Sequence, residues 1–280
     1  MLTRMRFQTV VLCIVVGLAG GAGADLGRSV KNPTHGRLVN FLAHCKVSRV
    51  APDDPIAQPG HLGRSHDHTF FGSKSVDAHA TLRRLRSGET TCGRRAETAA
   101  YWVPTLLRHG RAVRPTKATA YYTLREFSPV RFYPAGLKII AGNSRAVAPQ
   151  PLEVVWWNCG AFSGVRRSST APRTCPLGSS LELHIRFPEC WDGRRLDSLD
   201  HQAHMTYADR ERCPAAHPIL LPQLILIVAY PIRSGRGVVL SSGGKYSGHA
   251  DFFNAWNQDV LAGIVRRCSQ GRPRCARATG

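Results

Sequence analysis

Hydrophobic positions in this chain recur mostly with a period of two, in short runs separated by turn-forming residues. Leu181, Leu183, Ile185 and Phe187 alternate with Glu182, His184 and Arg186, which predicts a strand with one apolar and one polar face. Residues 118–124 read as another strand. So do residues 99–107, which run into Arg108-His109-Gly110-Arg111 as a hairpin turn. Tyr133-Pro134-Ala135-Gly136 breaks the chain before a strand from Leu137 to Ala141, and Leu152 to Trp157 leads into Asn158-Cys159-Gly160. Gln223 to Tyr230 is apolar almost without interruption, so a strand buried on both faces is expected there. Helical spacing is rarer. Residues 81–86 suggest a short helix stopped by Ser87-Gly88, and Phe252, Trp256, Val260 and Ile264 predict one amphipathic helix over residues 251–266. Residues 161–178 are rich in Ser, Gly, Arg and Pro and read as a surface loop. Many short strands with few helices make the expected fold mainly β: an antiparallel β-sandwich or jelly-roll-like single domain with a few short helices.

The first residues follow a different pattern. Arg4 and Arg6 precede an apolar stretch, Thr9 to Leu18, that is too short to span a bilayer, and Ala22-Gly23-Ala24 offers small residues for cleavage. Residues 1–24 are therefore expected to be a secretory signal, with a retained anchor as the competing reading. Residues 25–40 are expected to be a flexible N-terminus, 41–268 the single β-rich domain and 269–280 a tail. The run Leu220 to Tyr230 is short and holds Pro222 and Gln223, so no membrane span is expected after signal removal and the expected location is extracellular. Cysteine usage agrees. Loss of Cys13 with the signal would leave an even set, and order along the chain suggests Cys45–Cys92, Cys159–Cys175, Cys190–Cys213 and Cys268–Cys275 as disulfides. A zinc site of four thiolates is disfavoured, because the chain has no C-x-x-C pair.

Charge narrows the partners. Lys and Arg number 38 against 18 Asp and Glu, a formal charge of +20, which draws the protein toward a polysaccharide or an anionic cell-surface polymer. The basic pairs Arg83-Arg84, Arg166-Arg167, Arg194-Arg195 and Arg266-Arg267 are scattered, with no stripe of stacking aromatics between them, which argues against nucleic acid. The sequence sets no oligomeric state.

The candidate chemistry sits in three histidine-bearing segments: Ser65-His66-Asp67-His68-Thr69-Phe70-Phe71-Gly72, Asp200-His201-Gln202-Ala203-His204, and Gly248-His249-Ala250-Asp251-Phe252-Phe253. Other motifs surround them: Asp53-Asp54-Pro55-Ile56 with Pro59-Gly60, Ala100-Tyr101-Trp102-Val103-Pro104, Trp156-Trp157-Asn158-Cys159-Gly160, Cys190-Trp191-Asp192-Gly193 and Cys213-Pro214-x-x-His217-Pro218. Taken along the chain, these motifs other than the last histidine segment resemble, over roughly residues 41–260, a secreted bacterial and fungal family, the domain-of-unknown-function family numbered nineteen ninety-six. The resemblance implies no assigned activity. Fungal members are often joined to carbohydrate-binding modules, which points to wall polysaccharide by association alone.

The residues themselves support more than one chemistry. His66 and His68, two apart on an extended segment, point to one side. With His204 and His249 they form a candidate metal set for a divalent ion such as zinc, copper or manganese, although no single spacing matches an established metal motif. Without a metal, a hydrolase would need two carboxylates, with Asp197, Asp200 and Asp251 available and Glu182 in reserve. A lyase would need a base such as His or Tyr207. The catalytic candidates are thus His66, His68, Asp200, His204 and Asp251, with Phe71, Trp102, Trp157, Tyr207 and His249 as substrate contacts. Paired aromatics are more often core than sugar platforms, and Asp53-Asp54-Pro55 reads as a structural turn. Three functions remain: a carbohydrate-active enzyme with a His/Asp-lined cleft, a non-catalytic carbohydrate- or surface-binding protein, and a metal-dependent nuclease or phosphodiesterase.

Overall fold

Two antiparallel sheets carry the architecture. The structure is a computed structural model that describes residues 37–126, 128–210 and 212–271. In chain order the elements are β1 (Leu38–Cys45), β2 (Val47–Ala51), β3 (His68–Gly72), α1 (Leu82–Ser87), β4 (Ala100–Pro104), β5 (Leu106–Arg108) and β6 (Arg111–Ala112). They continue with β7 (Lys117–Arg125), β8 (Lys138–Gly142), β9 (Val155–Asn158), β10 (Leu181–Arg186), β11 (Cys190–Trp191) and β12 (Met205–Thr206). The last are β13 (Ile219–Leu220), β14 (Gln223–Tyr230), β15 (Val238–Leu240), β16 (His249–Phe253) and α2 (Gln258–Ser269). One five-stranded sheet runs β1-β7-β14-β10-β9 and the other β2-β3-β4-β16-β8, with two three-stranded sheets, β12-β11-β13 and β15-β5-β6, at the margins.

The main core lies between the two large sheets. Phe41, Tyr122, Leu183, Ile185, Leu224 and Leu226 from the first meet Phe71, Tyr101, Ile139 and Phe252 from the second in one buried cluster. Its aromatics interlock: Phe41 stacks on Tyr122 with centroids 4.6 Å apart, and Tyr133 meets Phe252 edge-on at 5.3 Å. This is the expected β-sandwich, and β10 keeps the expected alternation. A smaller second core covers the outer face of the β2-β3-β4-β16-β8 sheet, where Phe70, Trp102 and Phe253 pack under Ile56, Val76 and Leu85. That outer face is where the site lies.

Disulfides Cys45–Cys92, Cys159–Cys175 and Cys190–Cys213 are formed as expected. The expected Cys268–Cys275 pairing involves a residue outside the described ones, as does the whole of the expected signal segment. Residues 38–40 are not a flexible lead-in: they open β1 and pair with Thr123, Leu124 and Arg125 of β7.

Two expected elements differ. The predicted helix over 251–266 begins only at Gln258, capped by Asn257, whose side chain accepts from the N–H groups of Asp259 and Val260. Upstream, Ala250 and Phe252 face the main core while His249, Asp251 and Phe253 face outward, a period-two pattern that pairing with both β4 and β8 enforces. The helical spacing of Phe252 and Trp256 is thus produced by a strand and the linker after it. In β14, Leu224, Leu226 and Val228 are fully buried but Ile225 and Ile227 only partly, so this strand has one covered face and one half-open face.

Candidate metal centre

His68 begins β3 and His249 begins β16, with β4 between them. On the outer face, Phe70 and Asp251 each pair with Trp102. Two residues along, the same register brings His68 beside Pro104 and puts His249 on Pro104's other flank. The Nε2 atoms of the two imidazoles lie 3.3 Å apart. His66 arrives from the segment preceding β3, and its Nε2 lies 3.2 Å from that of His249. That segment is pinned: Ser65 N–H donates to the carbonyl of Pro52 at 3.0 Å, Gly63 N–H to Asp53 Oδ1 at 3.0 Å, and Ile56 is fully buried in the second core.

The hydrogen bonds on the far side of the rings decide what these nitrogens can do. His68 Nδ1 lies 2.8 Å from the carbonyl of Asp53, and His249 Nδ1 lies 2.9 Å from the carbonyl of Ser247. A carbonyl only accepts, so both Nδ1 atoms carry the proton and both Nε2 atoms present lone pairs. Two such lone pairs, buried and facing each other, cannot hydrogen-bond; a cation between them resolves the clash. The spacing suits one. Tetrahedral zinc with bonds of about 2.0–2.1 Å to nitrogen sets its ligands about 3.3–3.4 Å apart, close to the 3.2 and 3.3 Å found here. A backbone carbonyl on the second ring nitrogen is also how metal-binding histidines are usually oriented.

Electrostatics favour the neutral, ligating form. Burial pushes His249 down to about 4, and the neighbouring His66 adds to the effect. His68 is driven well below its ordinary value by burial and then by His249 and His66. Half-buried His66 is lowered by burial, with the Asp67 charge opposing.

A second set lies beside the first. Asp54, His68 and Asp251 each place a ligand atom within 4.8 Å of the other two. Asp54 Oδ1 accepts from the N–H groups of Ile56 and Ala57, both at 2.9 Å, so the turn read from the sequence is present. The same carboxylate also belongs to the cluster, which the sequence reading missed. Only its place at the start of the family-like segment hinted at more than a turn. Burial raises Asp54 and raises Asp251 well above the carboxylate range, the latter helped by the charge of Asp54.

The remaining predicted residues are elsewhere or enclosed. His204 is buried with both nitrogens engaged, Nδ1 with Ser198 Oγ at 2.9 Å and Nε2 with the carbonyl of Lys138 at 2.7 Å. Lys138 pairs with Phe253, at the opposite end of β16 from His249, so the four-histidine metal set becomes three. Asp200 is exposed and accepts from Ser198 Oγ and the N–H groups of Gln202 and Ala203, which holds it below its usual range. Tyr207 donates to the carbonyl of Arg186. Phe71 and Trp157 are in the main core and Trp102 in the second, none with ring surface open to a sugar. A cleft of about 550 Å³ lined by residues such as Leu38, Leu124, Pro129, Glu189 and Leu220 contains none of the predicted site residues, so it is not the His/Asp-lined cleft that was expected.

Comparison with known proteins adds one finding. No curated protein and no solved structure matches the chain. A family model described as a domain of unknown function, DUF1996, matches residues 54–256, a span that opens on Asp54 and takes in His66, His68, His249 and Asp251. With most of its length inside that match, the chain belongs to the DUF1996 family.

Proposed function

We propose that the protein is an exported metalloenzyme acting on an anionic extracellular polysaccharide, with His66, His68 and His249 holding the catalytic ion. One observation carries the reading: the Nε2 of His249 lies at tetrahedral-edge distance from the Nε2 atoms of both His66 and His68, and the Nδ1 bonds of His68 and His249 oblige those two rings to be lone-pair donors. Three protein nitrogens leave a fourth position, the arrangement of catalytic rather than structural zinc sites. Such an ion supplies Lewis acidity and lowers the pKa of a bound water. His66, the half-buried member, places the open side toward solvent. Asp251 stands on the same face as the neighbouring carboxylate. His204 stays outside the proposal because both of its nitrogens are engaged, and Asp200 because it is exposed and bonded within its own loop, away from the triad.

The substrate class rests on the formal charge of +20 and on the company that family members keep. Export accords with three disulfides and with the finding that, among the described residues, no helix is long and apolar enough to cross a membrane. The sugar-platform reading has less support, since Phe71, Trp102 and Trp157 are enclosed.

The test is elemental analysis of the purified protein followed by a polysaccharide panel assayed for reducing ends and for unsaturated products. Chelator-sensitive turnover that zinc, copper or manganese restores is the expected result. Turnover indifferent to chelation, in a protein that takes up no ion, would sink the metal reading. Chelator-sensitive nicking of plasmid DNA with no action on sugars would move the substrate to phosphodiesters.

A further inference from the structure

The histidine triad leaves part of this face unexplained. Asp54 and Asp251 are 5% and 1% exposed, and each lies within 4.8 Å of the other and of His68. Asp251 Oδ2 is buried with no hydrogen-bond partner, and on the cross-strand neighbour Trp102 the indole N–H is also unpaired. A buried acceptor left unsatisfied is destabilising, and a second carboxylate alongside adds repulsion. The nearby basic side chains are bonded elsewhere. Arg49 pairs with Asp53 at 2.9 Å, while Lys138 and His201 both pair with Asp197, at 3.3 and 2.8 Å.

His68 cannot satisfy both groups. Its Nδ1 proton is given to the Asp53 carbonyl, so a single lone pair remains, and that one faces His249. Asp251 is then left with an unpartnered buried oxygen beside a second buried carboxylate, that of Asp54. We infer that Asp54 and Asp251 hold a second divalent cation beside the triad ion, so that the centre is dinuclear. This rests on the triad reading of the proposed function and extends it.

The two positions differ in chemistry. Three imidazoles suit zinc or copper, whereas two carboxylates with open positions suit a harder ion such as manganese or magnesium, or a second zinc. Paired ions about 3.5–4 Å apart can hold both the attacking and the leaving oxygen of a displacement. The ligand expected at the shared opening is therefore an anionic oxygen of the substrate.

The experiment uses the full chain, stripped with chelator and reloaded with Zn²⁺ or Mn²⁺, with bound metal measured by elemental analysis and calorimetry. Two equivalents are expected in the unaltered protein. Asp251→Asn and Asp54→Asn should each fall to one, and His66→Ala should keep the carboxylate-bound ion while losing the other. Manganese-loaded protein should give the electron paramagnetic resonance signal of a coupled pair. A single equivalent in the unaltered protein overturns the second ion; loss of that equivalent in His66→Ala leaves the triad standing, and its loss only in the Asn variants overturns the triad reading as well. No bound ion at all overturns both. Should either Asn variant fail to fold, the stoichiometry and the manganese spectrum of the unaltered chain decide the matter, and a lone uncoupled ion refutes the pair.

Discussion

The segments around His68 and His204 look alike in sequence: paired histidines, a nearby aspartate and flanking aromatic or apolar residues. In the folded chain they differ in one respect, which is what their hydrogen-bonding atoms have left over. His204 is closed. One nitrogen meets Ser198 and the other the Lys138 carbonyl, while Asp200 takes a hydroxyl and two backbone N–H groups. His68 and His249 bond only through Nδ1 and turn their Nε2 lone pairs toward each other. The first arrangement holds a loop together and the second has capacity for a ligand. Unfilled coordination, more than residue type, separates a site from a structural histidine.

Mutations can break that contrast. The largest expected effect is on His249→Ala or His66→Ala, each of which should weaken metal binding by more than about a hundredfold, beyond what loss of an outer partner does, as read by competition with a chromogenic chelator. The half-buried His66 should tolerate the change with little loss of fold, so an intact circular dichroism spectrum would accompany the loss of metal. His204→Ala should do the reverse. It leaves a cavity and an unpaired Lys138 carbonyl, at a cost of about 2–4 kcal/mol in denaturant unfolding, with metal content unchanged. Equal metal loss in His204→Ala and His249→Ala would erase the distinction.

Acidity sharpens the comparison. In metal-free protein the His249 ring should stay neutral down to about pH 4, visible as a late-titrating imidazole by NMR. Unfolded histidine titrates near its ordinary value of about 6.5, so this group's contribution to stability is present above that pH and is lost as pH falls toward 4. Asp54 and Asp251, raised by burial, have the opposite sign: their contribution is complete below the ordinary carboxylate pKa and declines as pH rises. The net stability curve is flattened, which is why the ring itself is the signal to follow. An imidazole titrating at 6.5 would mean that the cluster is open to water. The smallest effect belongs to Asp200→Ala, whose carboxylate is exposed. It should lower the Tm less than His204→Ala does and leave metal content and turnover as they were.

Much of this was legible in the chain. Alternation in β10, the hairpin turn at His109-Gly110 (both with positive φ) and the short helix before Gly88 follow from local preferences, so they could be read without a structure. Three of the four expected disulfides are formed as order along the chain suggested. The failures are non-local. Helical spacing over 251–266 was overruled at its start because β16 is a central strand, hydrogen-bonded on both sides. Asp54 was read as a turn residue and is one, and nothing in its neighbours says that its carboxylate meets Asp251, almost 200 positions away. The aromatics Phe71, Trp102 and Trp157 illustrate the same limit: residue type cannot tell a sugar platform from a core ring, and burial can.

Composition, order along the chain and patterns a few residues long were enough to anticipate the β-rich architecture, three of the disulfide pairs, the basic charge and the family. Which histidines come together depends on the folded chain. The register of β3, β4 and β16 carries His68 and His249 to facing positions, and the fold of the preceding segment delivers His66 to them. The Nδ1 carbonyl partners lie near in sequence, Ser247 for His249 and Asp53 for His68, but the meeting of the Nε2 atoms is made across the fold, and no spacing along the chain encodes it.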